Sequence, residues 1–121
     1  MKSVYIAGPY TGTKEEEHKN MMKAAAAAAF YVKQGFAVFC PHTMTCPIDR
    51  NYNTGGEIKY EDWLAIDLYW LAKCDIVAFL PGWENSKGAS IEHMVARALG
   101  KEIEYVRDKL HAKEEAGGWI E

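Results

Sequence analysis

The sequence has no long apolar run, no basic excess and too few cysteines for a disulfide framework. Its 121 residues contain nothing approaching the roughly 20 apolar residues of a spanning helix, so no membrane partner is expected. The formal charge is −3, from 14 Lys and Arg against 17 Asp and Glu. A surface that coats a phosphate backbone needs clustered cations, so a nucleic-acid polymer is not the expected partner. Three cysteines cannot all pair, and their spacing shows no framework. Met1-Lys2-Ser3-Val4 enters a strand-like run directly, without the apolar stretch and cleavage site of a secretory signal. A reduced, cytoplasmic protein is expected. Two phosphate-loop signatures are also missing, GxxxxGK(S/T) and GxGxxG.

What is present is an ordinary globular composition, 49% hydrophobic and 26% charged, long enough for one domain with its own core. Residues 1–121 are therefore read as a single domain. Val4–Ala7 is a short apolar run closed by Gly8-Pro9, which predicts a buried strand and a turn. Thr13 is a helix N-cap candidate, with Glu15, Glu16 and Glu17 in the first turn. That helix runs through the alanines 24–29, a close-packing face against a sheet, and stops at Gly35. Phe36–Cys40 is a second strand ended by Pro41. Residues 41–59 show no periodicity and are predicted as a long loop, the kind that carries function or is disordered. Tyr60–Lys73 is helical, with Trp63, Leu64, Leu68 and Leu71 at helical spacing. Asp75–Leu80 is a strand, Ala89–Leu99 a helix, Glu102–Val106 a strand and Arg107–Glu115 a short terminal helix, with a frayed end from Gly117-Gly118. Alternating strands and helices predict an α/β fold with a parallel sheet of about four or five strands and helices on both faces. Ligands bind such sheets beyond the C-terminal strand ends.

Two loops therefore matter most. The first reads Gly8-Pro9-Tyr10-Thr11-Gly12-Thr13, whose glycines let backbone amides approach a ligand; a plain strand-to-helix turn fits it as well. The second runs from Pro81 to Gly88, with Ser86 placed to cap a helix or hold a phosphate. Glu92 lies about one turn into that helix, where the dipole would keep its carboxylate ionised. An ionised, positioned carboxylate suits covalent attack at an anomeric carbon, although acids are common at helix starts. Asp67, flanked by Ile66 and Leu68, must face solvent or a cavity. Glu61 and Asp62 read as helix-start acids. His42 follows a strand end, where it could touch a ligand, with the solvent-exposed surface as the expected place. Cys40, His42 and Cys46 lack a fourth ligand, so no metal is expected. Lys14, Lys19 and Lys23 form a solvated helix face, and His93 and Met94 pack or face solvent.

Taken together, YIAGPY at residues 5–10 and CDIVAFLPGWENSKGASIEHMVARALGK at residues 74–101 resemble the nucleoside 2-deoxyribosyltransferase superfamily, which includes the 2′-deoxynucleoside 5′-phosphate N-hydrolases. The LPGWENSKGASIE segment is most similar to a small group of stand-alone domains in it. The resemblance spans about residues 4–106. It implies a flavodoxin-like or Rossmann-like fold and a nucleophilic glutamate, which falls on Glu92. It implies a strand-one tyrosine that orients this carboxylate, Tyr5, and an aspartate near the leaving base, Asp67. Substrate-binding positions fall on Gly8, Pro9, Tyr10, Ser86 and Gly88. The transferases carry an aspartate six residues before the glutamate and the hydrolases a serine. Ser86 implies a nucleotide hydrolase that releases free base, with base exchange by a transferase, or silent nucleotide sensing, as alternatives. Tyr10 and Trp83 are candidates to stack on the base, and Trp83 equally fits a core or interface position. The hydrolases' basic first-loop residue has no match in Tyr10-Thr11-Gly12, which leaves Lys14 or Lys87 to replace it. The implied partner is a nucleoside or nucleotide, with no cofactor. A homodimer or dimer of dimers is expected, since the family completes its sites across subunits and Trp63, Tyr69 and Trp70 exceed what one core face needs.

Overall fold

The computed structural model describes residues 1–106. The helix predicted over 107–115 and the frayed end after it lie outside the described residues. Four strands form one parallel sheet: β1 (Ser3–Ala7), β2 (Ala37–Phe39), β3 (Ile76–Phe79) and β4 (Glu102–Tyr105), in the order β2-β1-β3-β4. Among the described residues four α-helices accompany them: α1 (Lys14–Lys33), α2 (Thr45–Tyr52), α3 (Tyr60–Lys73) and α4 (Lys87–Ala98). The architecture is α/β and flavodoxin-like. Among the described residues no helix is long and apolar enough to cross a membrane.

The central strands explain themselves. Val4 to Ala7 and Ile76 to Phe79 are buried on both faces, as apolar runs in a covered parallel sheet must be. Edge strands β2 and β4 are half-exposed. Strand alternation sends Val4, Ile6, Ile76 and Ala78 to one face, against Ala24, Ala27, Phe30 and Tyr31 of α1. Tyr5, Ala7, Val77 and Phe79 face the other way, against Leu71 of α3 and Ala96 of α4. Ala24 and Ala27 are the fully buried members of the alanine run. They let α1 lie close to the sheet.

Helix ends follow their caps. Thr13 and Glu16 form a reciprocal capping box, and Gly35 takes φ 91° just past the α1 terminus, a left-handed position that favours glycine. At α3, Asp62 accepts the Lys59 N–H at 2.9 Å. Ser86 caps α4 by accepting the Ala89 N–H at 3.3 Å, so α4 begins two residues earlier than the hydrophobic pattern suggests.

The long loop expected over 41–59 is largely ordered. Pro41–Thr43 is a 3-10 turn and α2 follows. Pro47 stands in the first turn of α2, where its missing N–H costs no helix bond. Eight residues are too few to reveal a helical period, which is why the pattern reads as loop. Asn53 organises the return: its side chain donates to the Ile58 carbonyl at 2.7 Å and accepts the Ile58 N–H at 2.9 Å.

Gly8 is dictated by packing. A Cβ there would stand 2.6 Å from the Leu80 Cβ, because the chain leaving β1 runs against the end of β3. Gly8→Ala should lower stability by roughly 1–3 kcal/mol through overpacking. Gly55, with no atom nearer than 4.0 Å to the corresponding position, serves as control. Urea denaturation of both alanine variants checks this, and a Gly8→Ala midpoint equal to the parent's would contradict it.

Candidate active site

The strand order places a switch point between β1 and β3. From β1 the chain crosses through α1 on one face, and from β3 through α4 on the other. The crevice left beyond the strand ends is where such sheets bind ligands. An inner cavity of 190 Å³ occupies it. β1 and its loop contribute Ala7, Gly8 and Tyr10; α4 contributes Ser86, Gly88 and Glu92; α3 contributes Tyr60, Trp63 and Asp67. The remaining wall is the 41–49 segment, through His42, Thr45, Cys46 and Asp49. An outer cavity of 460 Å³ shares Tyr10, Tyr60, Ser86 and Gly88, and adds Pro9, Asn85 and Lys87. Together they reach the size of small-molecule sites, roughly 300–1,000 Å³.

The eight site residues expected from sequence thus converge. Seven line one or both cavities. Tyr5 is wholly buried behind them and donates its hydroxyl to Glu92 Oε2. The Tyr5 ring stacks on Phe39 at 5.7 Å, and Phe39 stacks on Trp70 at 5.4 Å. That column fixes the ring and hence the hydroxyl. Burial, then the neighbouring Glu92 and Asp67 charges, hold the Tyr5 phenol well above its ordinary range. It therefore remains a donor.

Glu92 departs from expectation. It lies in the second turn of α4 and is 7% exposed. Burial pushes its carboxyl up to about 8, the Tyr5 bond opposes this and the Asp67 charge adds to it. The helix dipole fades within the first turn and does not keep the group ionised. At neutral pH the resting carboxyl is mostly protonated. Across the cavity, Asp67 accepts from Thr45 Oγ1 at 3.4 Å. Burial raises it to about 6, against the pull of that bond.

Three further findings concern the walls. His42 is not at the surface but 3% exposed, roofed by the unforeseen α2 segment, with Nε2 2.9 Å from the Pro9 carbonyl oxygen. Trp83 lines neither cavity; it stacks on His93 at 4.1 Å and packs on Phe79, so it is not placed to cover a base. Trp63 is not surplus surface: it lines the cavity and donates to Asp49 Oδ1 at 2.6 Å. Lys87 reaches the outer cavity, its Nζ 5.5 Å from the Tyr60 ring centre; Lys14 lines neither. Sequence reasoning also missed Arg50, which pairs with Glu17 at 3.4 Å. Burial pushes the Cys46 thiol up to about 12. All three cysteines are free, and among the described residues no cluster of three metal-ligating side chains occurs.

A family model described as "Domain of unknown function (DUF4406)" matches residues 2–105. A comparison with curated proteins finds no match.

The buried acid has a consequence for stability. A carboxyl raised by folding favours the folded state below about 4.5, and this contribution is lost as pH rises to about 8. Glu92→Gln keeps an acceptor for Tyr5 but has no proton to lose. Relative to the parent it should gain roughly 2–4 kcal/mol between pH 5 and pH 9. Chemical denaturation at both pH values measures the difference, and a flat one would show a solvated Glu92.

Proposed function

The chain belongs to the DUF4406 family of domains of unknown function, and we propose that it is an N-glycosidase of (deoxy)nucleoside 5′-monophosphates, similar to the nucleoside 2-deoxyribosyltransferase superfamily. The observation that carries this reading is the buried Tyr5–Glu92 pair on the cavity wall, with Asp67 as a second carboxyl. Two carboxyls of separated proton affinity are what retaining glycoside cleavage requires.

In the proposed reaction the sugar and base fill the inner cavity, and the 5′-phosphate lies outward near Ser86, Lys87 and the start of α4. Glu92, once ionised, attacks C1′. The C1′–N bond breaks, its electron pair goes to the base, and Asp67 donates a proton to that base. Tyr5 holds one carboxyl oxygen and aims the other. Water then hydrolyses the glycosyl ester, freeing the sugar phosphate and restoring both carboxyls. No cofactor takes part. The same reading expects an enzyme of the reduced cytoplasm, and a homodimer or dimer of dimers built on exposed Tyr69 and Trp70.

One observation favours base exchange on a free nucleoside instead. Lys87 is the one Lys or Arg among the described residues that line the two cavities, and its Nζ lies over the Tyr60 ring. An added acceptor base separates the two readings: exchange of bases marks the transferase.

The direct test incubates the protein with nucleotides and nucleosides and follows free base by chromatography. Base release that falls at least a thousandfold in Glu92→Ala, with the fold intact, is the expected result. Binding without release, or activity within a few-fold in that variant, would leave a sensor.

The pH profile follows from the two carboxyls. The reactive form has Glu92 ionised and Asp67 protonated. With affinities near 8 and 6, that form is on the order of 1% of free enzyme at neutral pH. kcat/KM should trace a bell with limbs near pH 6 and pH 8. Asp67→Asn should abolish the alkaline fall and leave a single rise extending to about pH 8. A profile governed by one carboxyl near pH 4 would contradict the assignment.

A further inference from the structure

Thr45, the first residue of α2, is buried and belongs to the lining of the inner cavity. Its hydroxyl has one hydrogen to give and two acceptors within reach. One is the Pro41 carbonyl at 3.2 Å, four residues back in the chain, a common local bond of threonine. The other is Asp67 Oδ1 on α3 at 3.4 Å. The Pro41 carbonyl also accepts the Met44 N–H at 3.2 Å, so it keeps a partner when the hydroxyl turns away.

Which acceptor takes the hydrogen depends on the state of Asp67. Hydrogen bonds to an ionised acceptor are roughly twice as strong as neutral ones. An Asp67 carboxylate therefore draws the hydrogen, and a neutral Asp67 leaves it to the shorter Pro41 bond. The exchange is a rotation of one O–H bond and moves no heavy atom. Other titratable groups around Asp67 are Glu92 of α4, Cys46 and Asp49 of α2, His42 and Tyr10, with Tyr5 of β1 behind. Among the described residues none of these hydrogen-bonds Asp67, and no Lys or Arg lines the inner cavity. The Thr45 hydroxyl is the group that meets the charge as it forms. Burial raises the Asp67 carboxyl and the Thr45 bond opposes the rise, in keeping with this geometry.

We propose that Thr45 is a positioning residue that controls the Asp67 proton: its hydroxyl turns from Pro41 to Asp67 Oδ1 as Asp67 hands its proton to the departing base. This rests on the glycosidase reading above and adds to it the group that stabilises the acid after proton transfer. Tyr5 and Thr45 then have matching tasks, each presenting one hydroxyl to one carboxyl.

The experiment follows the Asp67 side-chain carboxyl by ¹³C NMR through pH in the Glu92→Gln background, which removes the neighbouring carboxyl titration. Thr45→Val takes away the hydroxyl. It should raise the Asp67 midpoint by about one pH unit, tenfold in proton affinity. Thr45→Ser keeps a hydroxyl and should return the midpoint to the parent value. With Glu92 in place, the acid limb of the kcat/KM profile near pH 6 should climb in Thr45→Val and return in Thr45→Ser. A readout that needs no variant at this position is the Thr45 ¹³Cβ resonance, which should titrate with the midpoint of Asp67. A Thr45 that only starts the helix would lower stability in Thr45→Val and leave the midpoint in place. That result, a serine variant that fails to restore the midpoint, an acid limb that stays put, or a Thr45 resonance that does not titrate would each overturn the inference while leaving glycosidase activity possible. The expected midpoint shift in a protein that releases no base would sustain the control of the Asp67 proton by Thr45 and defeat the glycosidase reading.

Discussion

The Tyr5–Glu92 hydrogen bond joins the central strand to α4 at the wall of the cavity. Tyr5 is wholly buried and stacked on Phe39, so its hydroxyl has little freedom to follow the carboxyl; the carboxyl must come to it. That requirement draws Glu92 below the surface, where burial makes its charge expensive. The raised proton affinity of Glu92, and part of that of Tyr5, are consequences of one contact. A resting acid that is neutral yet close to ionising is the state a site needs when its carboxylate must appear only beside a ligand.

Around this contact the fold supplies walls rather than chemistry. The switch point between β1 and β3 opens the crevice, and Gly8 lets the two strand ends approach closely enough to close its base. α2 forms the remaining wall. Arg50 ties it to Glu17 of α1, while Asp49 and Thr45 tie it to Trp63 and Asp67 of α3. Its exposed bonds are individually weak, but they bridge the helices of both sheet faces. A short helix without much core of its own is thereby held over the site.

Much of this was legible in the sequence because the signals were local. Thr13, Gly35 and Ser86 announce helix ends through side chains and φ preferences that act within a few residues. The apolar runs of β1 and β3 announce a covered parallel sheet. What escaped depends on contacts remote in sequence. α2 is too short to show a period, and missing it made His42 read as exposed. The ionisation of Glu92 could not be inferred from its place near a helix start, because a second-turn residue facing inward loses more to burial than it gains from the dipole. Trp83 next to the ligand loop suggested a stacking role. His93, one turn along α4, occupies its face instead. Tyr5 was legible only through resemblance: no local rule tells a strand tyrosine that orients a carboxyl from one that fills a core.

The central claim is that Glu92 forms a bond to the anomeric carbon. A 2′-deoxy-2′-fluoro nucleotide tests it most directly, since the fluorine slows formation of the cationic transition state and prolongs the glycosyl ester. Incubation followed by intact-mass and peptide-level mass spectrometry should show one sugar-phosphate adduct per chain, carried by Glu92, with free base released in equal amount. Base release without an adduct, or an adduct on another side chain, would contradict the account.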